Sequence, residues 1–566
     1  MNEAWVPKDN LVFDDESLEI IHCNANLAVW AGPGAGKTEI LAQKACFLLE
    51  TERCEWPFSI LSISRKRASA SNLKERVQKR SGDELSERFH SFTIEAFTKS
   101  IVDRLMCVLP KHRQPSPDYQ VTNGGSNFPK SLSFDHITSI ALEICNTSSD
   151  LMASLRVAYK YVFIDEFQDL NGVQYDFVKA LFCNTESVVT VVGDSKQAIM
   201  KFAKALPDGF NRFEHDFNAE LKVIYSNFRA TPELKAYINS LGSLWWPMSD
   251  KSSSPQTKNT ELNQNDYSML VYQDDEQEAE QLARKIAQWV NEDGIKPHDI
   301  AVLFRINTNN NYGFHISNAL LKHGILSYDE SVMQDHLSEP LGKIVVSFLT
   351  LITRARDISS WECLRELYLY SHPGCDRYEE YELRCLLSYI SNVRGALLDK
   401  DFVAEKIRDV TTHFIDEFFF KYLGHAWSQY GQQAFVKATV LGVLDGLEKA
   451  RLKTESWAEA VDLISGVNAI RMMTIHKSKG AEFEAVILLG FEDHPFFGFR
   501  YDSSKLDEER STIFVALSRA KSRLLVSTAK RRQHTGPSTH AHMGSIMDDM
   551  VKLGMVGRRV SIPEEV

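Results

Sequence analysis

The first 250 residues alternate short apolar runs with amphipathic stretches. FSILSIS (58–64), YVFIDE (161–166), VVTVVGD (188–194) and LKVIYS (221–226) read as buried strands. Between such runs the apolar positions recur every three or four residues, as at Ile40, Leu41, Ala45, Leu48 and Leu49 in EILAQKACFLLE (39–50). Strands alternating with helices predict a mostly parallel α/β sheet. The segment 249–266, SDKSSSPQTKNTELNQND, is polar and aperiodic and reads as a linker. A second α/β set follows: YSMLVYQ (267–273), DIAVLFR (299–305), IRMMTIH (470–476), FEAVILLG (483–490) and RLLVST (523–528). From 331 to 465, Leu, Tyr and Phe fall at helical spacing with few strand signals, which predicts an inserted helical domain. The expected organisation is a first domain over 1–248 with a short insertion near 100–133, the linker, a second domain from 267–330 and 466–530, and a tail over 531–566.

Composition sets bounds on function. A chain of 566 residues, 43% hydrophobic and 25% charged, is long enough for several cores. The start, MNEAWVPKDN, lacks the cationic and apolar regions of a leader, and no apolar run is long enough for a membrane span, so a cytoplasmic location is expected. The nine cysteines form no C-x-x-C, which argues against a zinc ribbon or a disulfide frame. The net charge of −12 disfavours a broad nucleic-acid surface but not a groove with local positive charge. RKRASASNLKERVQKR (65–80) is such a local run, or else a solvated helix face.

The candidate chemistry starts at AGPGAGKT (31–38), which lies between the apolar run LAVW (27–30) and the helical stretch from Glu39. Strand, glycine-rich loop and helix, in that order, give the setting of a P-loop. Small residues let successive backbone N–H groups line a concavity at a helix N-terminus, where anions bind. Ala31, Gly32, Pro33, Gly34, Ala35, Gly36, Lys37, Thr38 and Glu39 are therefore the expected nucleotide cradle. Lys37 would reach the terminal phosphates and Thr38 would ligate Mg²⁺. FIDEFQD (163–169) ends a strand in two acids, Asp165 to hold the metal and Glu166 to deprotonate the attacking water. Gln197 in VVGDSKQ is placed to sense a terminal phosphate. Arg229 and Arg519, one in each α/β set, could stabilise charge on a transferring phosphoryl group.

The ordered set AGPGAGKT, FIDEFQD, VVGDSKQAIMKF, YSNFRATPEL, MTIHKSKGAEFEAVILLG and EERSTIFVALSRAK resembles the superfamily 1 helicases of the UvrD/Rep type, from residue 10 to 530. The resemblance implies two RecA-like P-loop domains with parallel sheets, a helical insertion in the second half, and ATP with Mg²⁺ bound between the domains. It also implies movement along single-stranded or partly duplex DNA in the 3′ to 5′ direction. By match to the family's motifs, Lys37, Thr38, Asp165 and Glu166 form the hydrolytic centre. Gln197 couples hydrolysis to motion, Arg229 and Arg519 contact the γ-phosphate, and Gly480 and Glu482 lie near the γ-phosphate and the ribose. Ser64, Arg65, Thr93, Phe202, Thr474, His476 and Lys477 would line the DNA track, with the Phe202 ring stacked on a base.

The chain departs from that pattern in several places. The family's adenine-reading glutamine upstream of the P-loop is missing. No glutamine precedes Gln43, and Glu16 and Glu19 are the nearest candidates. A carboxylate accepts hydrogen bonds but cannot donate one. MKFAKA (200–205) stands where the family has a second ring and an arginine, and Glu95 replaces a track histidine. The resemblance leaves two functions open. One is an unwinding motor. The other is a DNA-stimulated ATPase subunit that delivers DNA to a partner nuclease in an anti-phage defence complex.

Overall fold

The computed structural model describes residues 5–559 apart from 123, 200–205, 207, 248–262, 264–265, 307–311, 331–335, 338, 355, 373–378, 398–402, 432 and 497–504. Phe202 and MKFAKA lie outside the described residues.

The apolar runs of the first half form a six-stranded sheet. Its order is Phe89–Thr93, Ser59–Ser64, Tyr159–Ile164, Val188–Gly193, Leu27–Ala31 and Glu220–Ile224, all parallel. Leu27–Ala31 is buried along its whole length, as a strand covered on both faces must be. Helices cover both faces. Lys37–Glu50 packs in one core with Ile60, Phe163 and Val192. Ile94–Leu105, Phe134–Thr147 and Gly172–Phe182 pack in another with Leu61, Ile164 and Val191. The helix starts are encoded locally: Thr93 caps the first of these three helices and an Asn171–Gln174 capping box opens the last.

The second sheet has seven strands. Its order is Ser327–Asp329, Ile470–Thr474, Ile300–Phe304, Phe483–Leu489, Ala520–Ala529, Tyr267–Tyr272 and Val556–Arg559, again all parallel. These are the two RecA-like domains. Between Ser327–Asp329 and Ile470–Thr474, helices from Pro340–Thr353 to Trp457–Ile464 enclose their own core, in which the Phe348 and Phe414 rings stack at 4.0 Å.

Two expected boundaries are corrected. Helix Pro232–Trp245 falls within the span expected for the first domain, but it buries Leu234, Ile238, Leu241 and Trp245 with Met269, Leu303 and Leu524 of the second. Nor do residues 531–559 form a tail. Met543, Ile546 and Met550, at helical spacing on Met543–Lys552, complete that same core, and Val556–Arg559 then adds an edge strand beside Tyr267–Tyr272. A polar stretch at 531–542 hides this apolar pattern in the sequence.

Candidate functional site

Glycine 34 turns the loop after Leu27–Ala31 with φ of +74°, and a Cβ there would lie 2.4 Å from Asn227 Oδ1. Only glycine accepts both conditions. The Phe228 N–H donates to Gly34 O at 2.9 Å, so the segment carrying Arg229 is docked on the loop. Phe228 is itself 65% exposed at this lip. Asn227 Oδ1 accepts from the Arg229 and Ala230 N–H groups, which fixes the arginine's backbone. Lys37 Nζ donates to Ala31 O at 3.2 Å and Gly32 O at 3.4 Å.

Thr38 Oγ1 donates to Asp165 Oδ2 at 3.2 Å, joining the loop to the end of Tyr159–Ile164. Glu166 follows in the left-handed region, at φ 53° and ψ 43°, uncommon for a residue with a side chain. Its Oε2 accepts from Gln168 Nε2 at 2.5 Å. Gln168 Oε1 in turn accepts from the Asp194 N–H at 2.9 Å, a path open because residue 193 is glycine, where a Cβ would sit 2.1 Å from that oxygen. Burial and the adjacent Glu166 push the Asp165 carboxyl up to about 6. Burial also acts to raise Glu166, but Lys479, Lys37, the Gln168 bond and Arg519 outweigh it and hold the carboxyl down near 2. The two neighbouring carboxylates are thus driven apart.

The second domain supplies the other wall. Arg519, 2% exposed, donates to Gln197 Oε1 at 3.0 Å and to the Val515 and Ala481 carbonyls. Burial and the nearby Arg229 charge lower it to about 9. Gln197 Nε2 meanwhile donates to Asp194 Oδ2 at 2.7 Å. Arg229 bridges the cleft the other way, to Glu482 Oε2 at 2.8 Å and Ser518 O at 2.9 Å. Gly480, at φ +90°, lies just before Glu482 in the chain.

Reading the sequence missed Lys479. Its ammonium is buried against Asp169 Oδ2 at 2.7 Å, Glu166 Oε2 at 3.5 Å and Gln197 O at 3.0 Å, while its carbonyl accepts from Lys66 at 2.7 Å. Burial acts against the charge on Lys479, but Asp169 and Glu166 raise its pKa on balance. The available signal was a second lysine, directly before Gly480, in HKSKG. Sequence reading also missed Asn227.

Several other candidates are engaged within the protein. The Glu39 carboxylate turns away from the loop to Arg76 and Arg80, and Gln43 Nε2 donates to it at 3.0 Å. The basic run 65–80 is neither a free DNA surface nor a bare solvated face. Arg65 is ion-paired with Glu95 and Arg67 with Glu339, Arg80 bonds Asp9, and Lys74 lies over the Tyr370 ring at 5.6 Å. The Ser64 side chain is buried, and Thr93 Oγ1 is taken up as a helix cap. Thr474 precedes the helical turn Ile475–Ser478 with His476 and Lys477 upon it. Burial and the Arg305 charge hold His476 down near 4.

Comparison with known proteins places this geometry. A family model described as the UvrD/REP helicase N-terminal domain matches residues 14–114 and 111–218. One described as the UvrD-like helicase C-terminal domain matches 443–531. The chain is 23% identical to the ATP-dependent DNA helicase PcrA of Bacillus subtilis over 89% of its own length and 81% of that protein. It is 26% identical to DNA helicase II of Haemophilus influenzae over 66% of its length and 56% of the relative. It is also 24% identical to the putative ATP-dependent DNA helicase YjcD of Bacillus subtilis, over 71% and 56%. Among the described residues no helix is long and apolar enough to cross a membrane, and no group of three or more His, Cys, Asp or Glu is set to hold a metal by itself.

Proposed function

This chain belongs to the UvrD-like helicase family, and we propose that it is an ATP-hydrolysing motor that moves along single-stranded DNA, 3′ to 5′, and separates strands. The observation that carries the reading is the reciprocal crossing of the cleft by Arg229 to Glu482 and by Arg519 to Gln197. A nucleotide phosphate entering between the two sheets would compete for both arginines, so its presence and its loss would be felt as cleft closure and opening.

In this reading the backbone N–H groups of the 31–38 loop receive the phosphates, and Lys37 leaves the Ala31 and Gly32 carbonyls for them. The Mg²⁺ that accompanies ATP suits the residues present. Thr38 Oγ1 and Asp165 Oδ2 are adjacent oxygen donors of the kind it selects, and the raised Asp165 carboxyl is the group most relieved by a cation. Bound there, it would neutralise phosphate charge. Glu166, held ionised by Lys479 and Lys37, accepts the proton of the attacking water. Arg229 and Arg519 offset charge on the transferring group, while Gln197, bonded to Asp194 and Arg519, moves when that arginine does. A DNA-stimulated ATPase assay and a strand-displacement assay on the purified protein test the reading. Absence of DNA stimulation would overturn it.

One observation favours the second reading, an ATPase subunit that presents DNA to a partner nuclease. Arg65 and Arg67 are already paired with acids, which weakens an independent grip on DNA. ATPase stimulated by DNA without strand displacement would support this reading.

A further inference from the structure

Arg65 leaves the strand Ser59–Ser64 and Glu95 lies in the first turn of Ile94–Leu105. The strands leading to them are neighbours, with Ser64 in register with Thr93. The Arg65 guanidinium is ion-paired with the Glu95 carboxylate, 24% and 15% of the two side chains being exposed. The same Glu95 Oε1 accepts from Gln174 Nε2 at 3.2 Å. Gln174 is buried and exchanges bonds of 2.9 and 3.1 Å with Asn171 in the capping box that opens Gly172–Phe182. That helix follows directly from the Glu166–Asp169 segment held by Lys479. One carboxylate oxygen therefore joins an arginine of the proposed DNA track to the helix leading out of the proposed ATP site.

A carboxylate has the wrong sign for a surface that grips phosphates. We infer that Glu95 is a positioning residue that stands in for a DNA phosphate: it holds Arg65 when no strand is bound, yields it when a backbone phosphate arrives, and is then left bonded to Gln174. The inference rests on the motor reading above. Arg65 also reaches the ATP site by its charge, since it is among the cations opposing the burial that raises Asp169. The chain thereby gives up part of its resting affinity for DNA in exchange for a contact that changes only when DNA is present.

The test is Glu95→Gln, which keeps the shape and an acceptor for Gln174 while removing the charge. Binding of a fluorescent oligo-dT to the full chain is measured across a salt series, with thermal unfolding to confirm folding; Glu95→Ala takes its place if the glutamine variant does not fold. Breaking a partly exposed ion pair before binding costs the wild type a factor of about two to five, so the variant should bind tighter by that factor. The slope of log K against log salt should stay close to that of the wild type, because Arg65 neutralises one phosphate in both proteins. In an Arg65→Ala background Glu95→Gln should have no effect on either quantity. Wild type that binds DNA, with a variant unchanged or weakened in affinity, overturns the role of Glu95 and leaves the motor reading intact. If neither protein binds, both fall. Binding by the variant alone supports both.

Discussion

The Arg519 guanidinium of the second domain donates to Gln197 Oε1 of the first across 3.0 Å, and both side chains are almost fully buried. Such a bond is short-ranged and directional, so it reports small changes in cleft width. If Arg519 offsets charge on the transferring phosphoryl group, Arg519→Ala should lower kcat by about 10³ to 10⁵. Arg519→Lys should not rescue it, because a single ammonium nitrogen lacks the planar spread by which three separate guanidinium nitrogens reach the Val515, Ala481 and Gln197 oxygens. Loss of a buried partner for Gln197 should also cost about 1–3 kcal/mol of stability. Steady-state ATPase and thermal unfolding separate the two effects; a destabilised variant with normal kcat would remove Arg519 from the chemistry.

The Lys479 contact to Glu166 and Asp169 makes two substitutions behave differently. Glu166→Gln keeps the shape of the site and removes the base, so nucleotide and DNA binding should persist while turnover falls by about 10² to 10⁴. Lys479→Ala leaves Asp169 buried without its cation, and Asp169 Oδ1 already has no hydrogen-bond partner among the described residues. That change should cost about 3–5 kcal/mol of stability. Melting temperature distinguishes them: Glu166→Gln near wild type, Lys479→Ala strongly lowered.

The strands and the glycine-rich turn at 31–38 are legible because buried parallel strands are continuous apolar runs and a left-handed turn between strand and helix restricts residue type over a short span. Contacts between distant segments leave no such local mark. Lys479 reads as one more lysine in HKSKG until the fold sets it against Asp169, and Glu39 reads as a cradle residue until Arg76 and Arg80 claim its carboxylate. The pairing within the basic run 65–80 is hidden for the same reason, because its partners Glu95 and Glu339 lie outside the run. Helix Pro232–Trp245 shows an apolar face, but the pattern does not say which sheet receives it.

His476 gives a pH prediction. Burial and Arg305 hold it near 4 in the fold, against about 6.5 when unfolded. Above 6.5 it is neutral in both states and contributes no pH dependence. As pH falls from 6.5 toward 4 the unfolded chain takes up a proton that the fold refuses, so stability is lost over that window, by up to about 3 kcal/mol. His476→Asn should flatten this part of the stability curve. Urea midpoints of both proteins at pH 7.5, 6 and 5 provide the check, and equal losses in the two would exclude His476 as the source.

An amide reads adenine by accepting from its exocyclic amine and donating to a ring nitrogen at once. Gln43, the earliest glutamine in the chain, is not available to read it: its Oε1 accepts from the Lys8 N–H at 2.9 Å, and its Nε2 donates to Lys8 O and Glu39. Glu16 is exposed in the first turn of Asp15–His22, and its carboxylate can accept from an exocyclic amine but cannot donate to a ring nitrogen. At the lip of the loop Phe228 presents an exposed ring, and stacking on a ring tolerates any base. Donor-and-acceptor reading of adenine is therefore weaker here than an amide would make it. A hydrogen-bond pair of this kind is worth about 1–3 kcal/mol, a factor of about 5 to 150, so without it kcat/KM for ATP should exceed that for GTP only slightly. Phe228→Ala should raise KM for both nucleotides by a similar factor and leave their ratio unchanged. Parallel ATP and GTP hydrolysis by the wild type and this variant provides the measurement. A preference for ATP of several hundredfold would show that another group reads the base, and a ratio that shifts with Phe228→Ala would show that the ring itself discriminates.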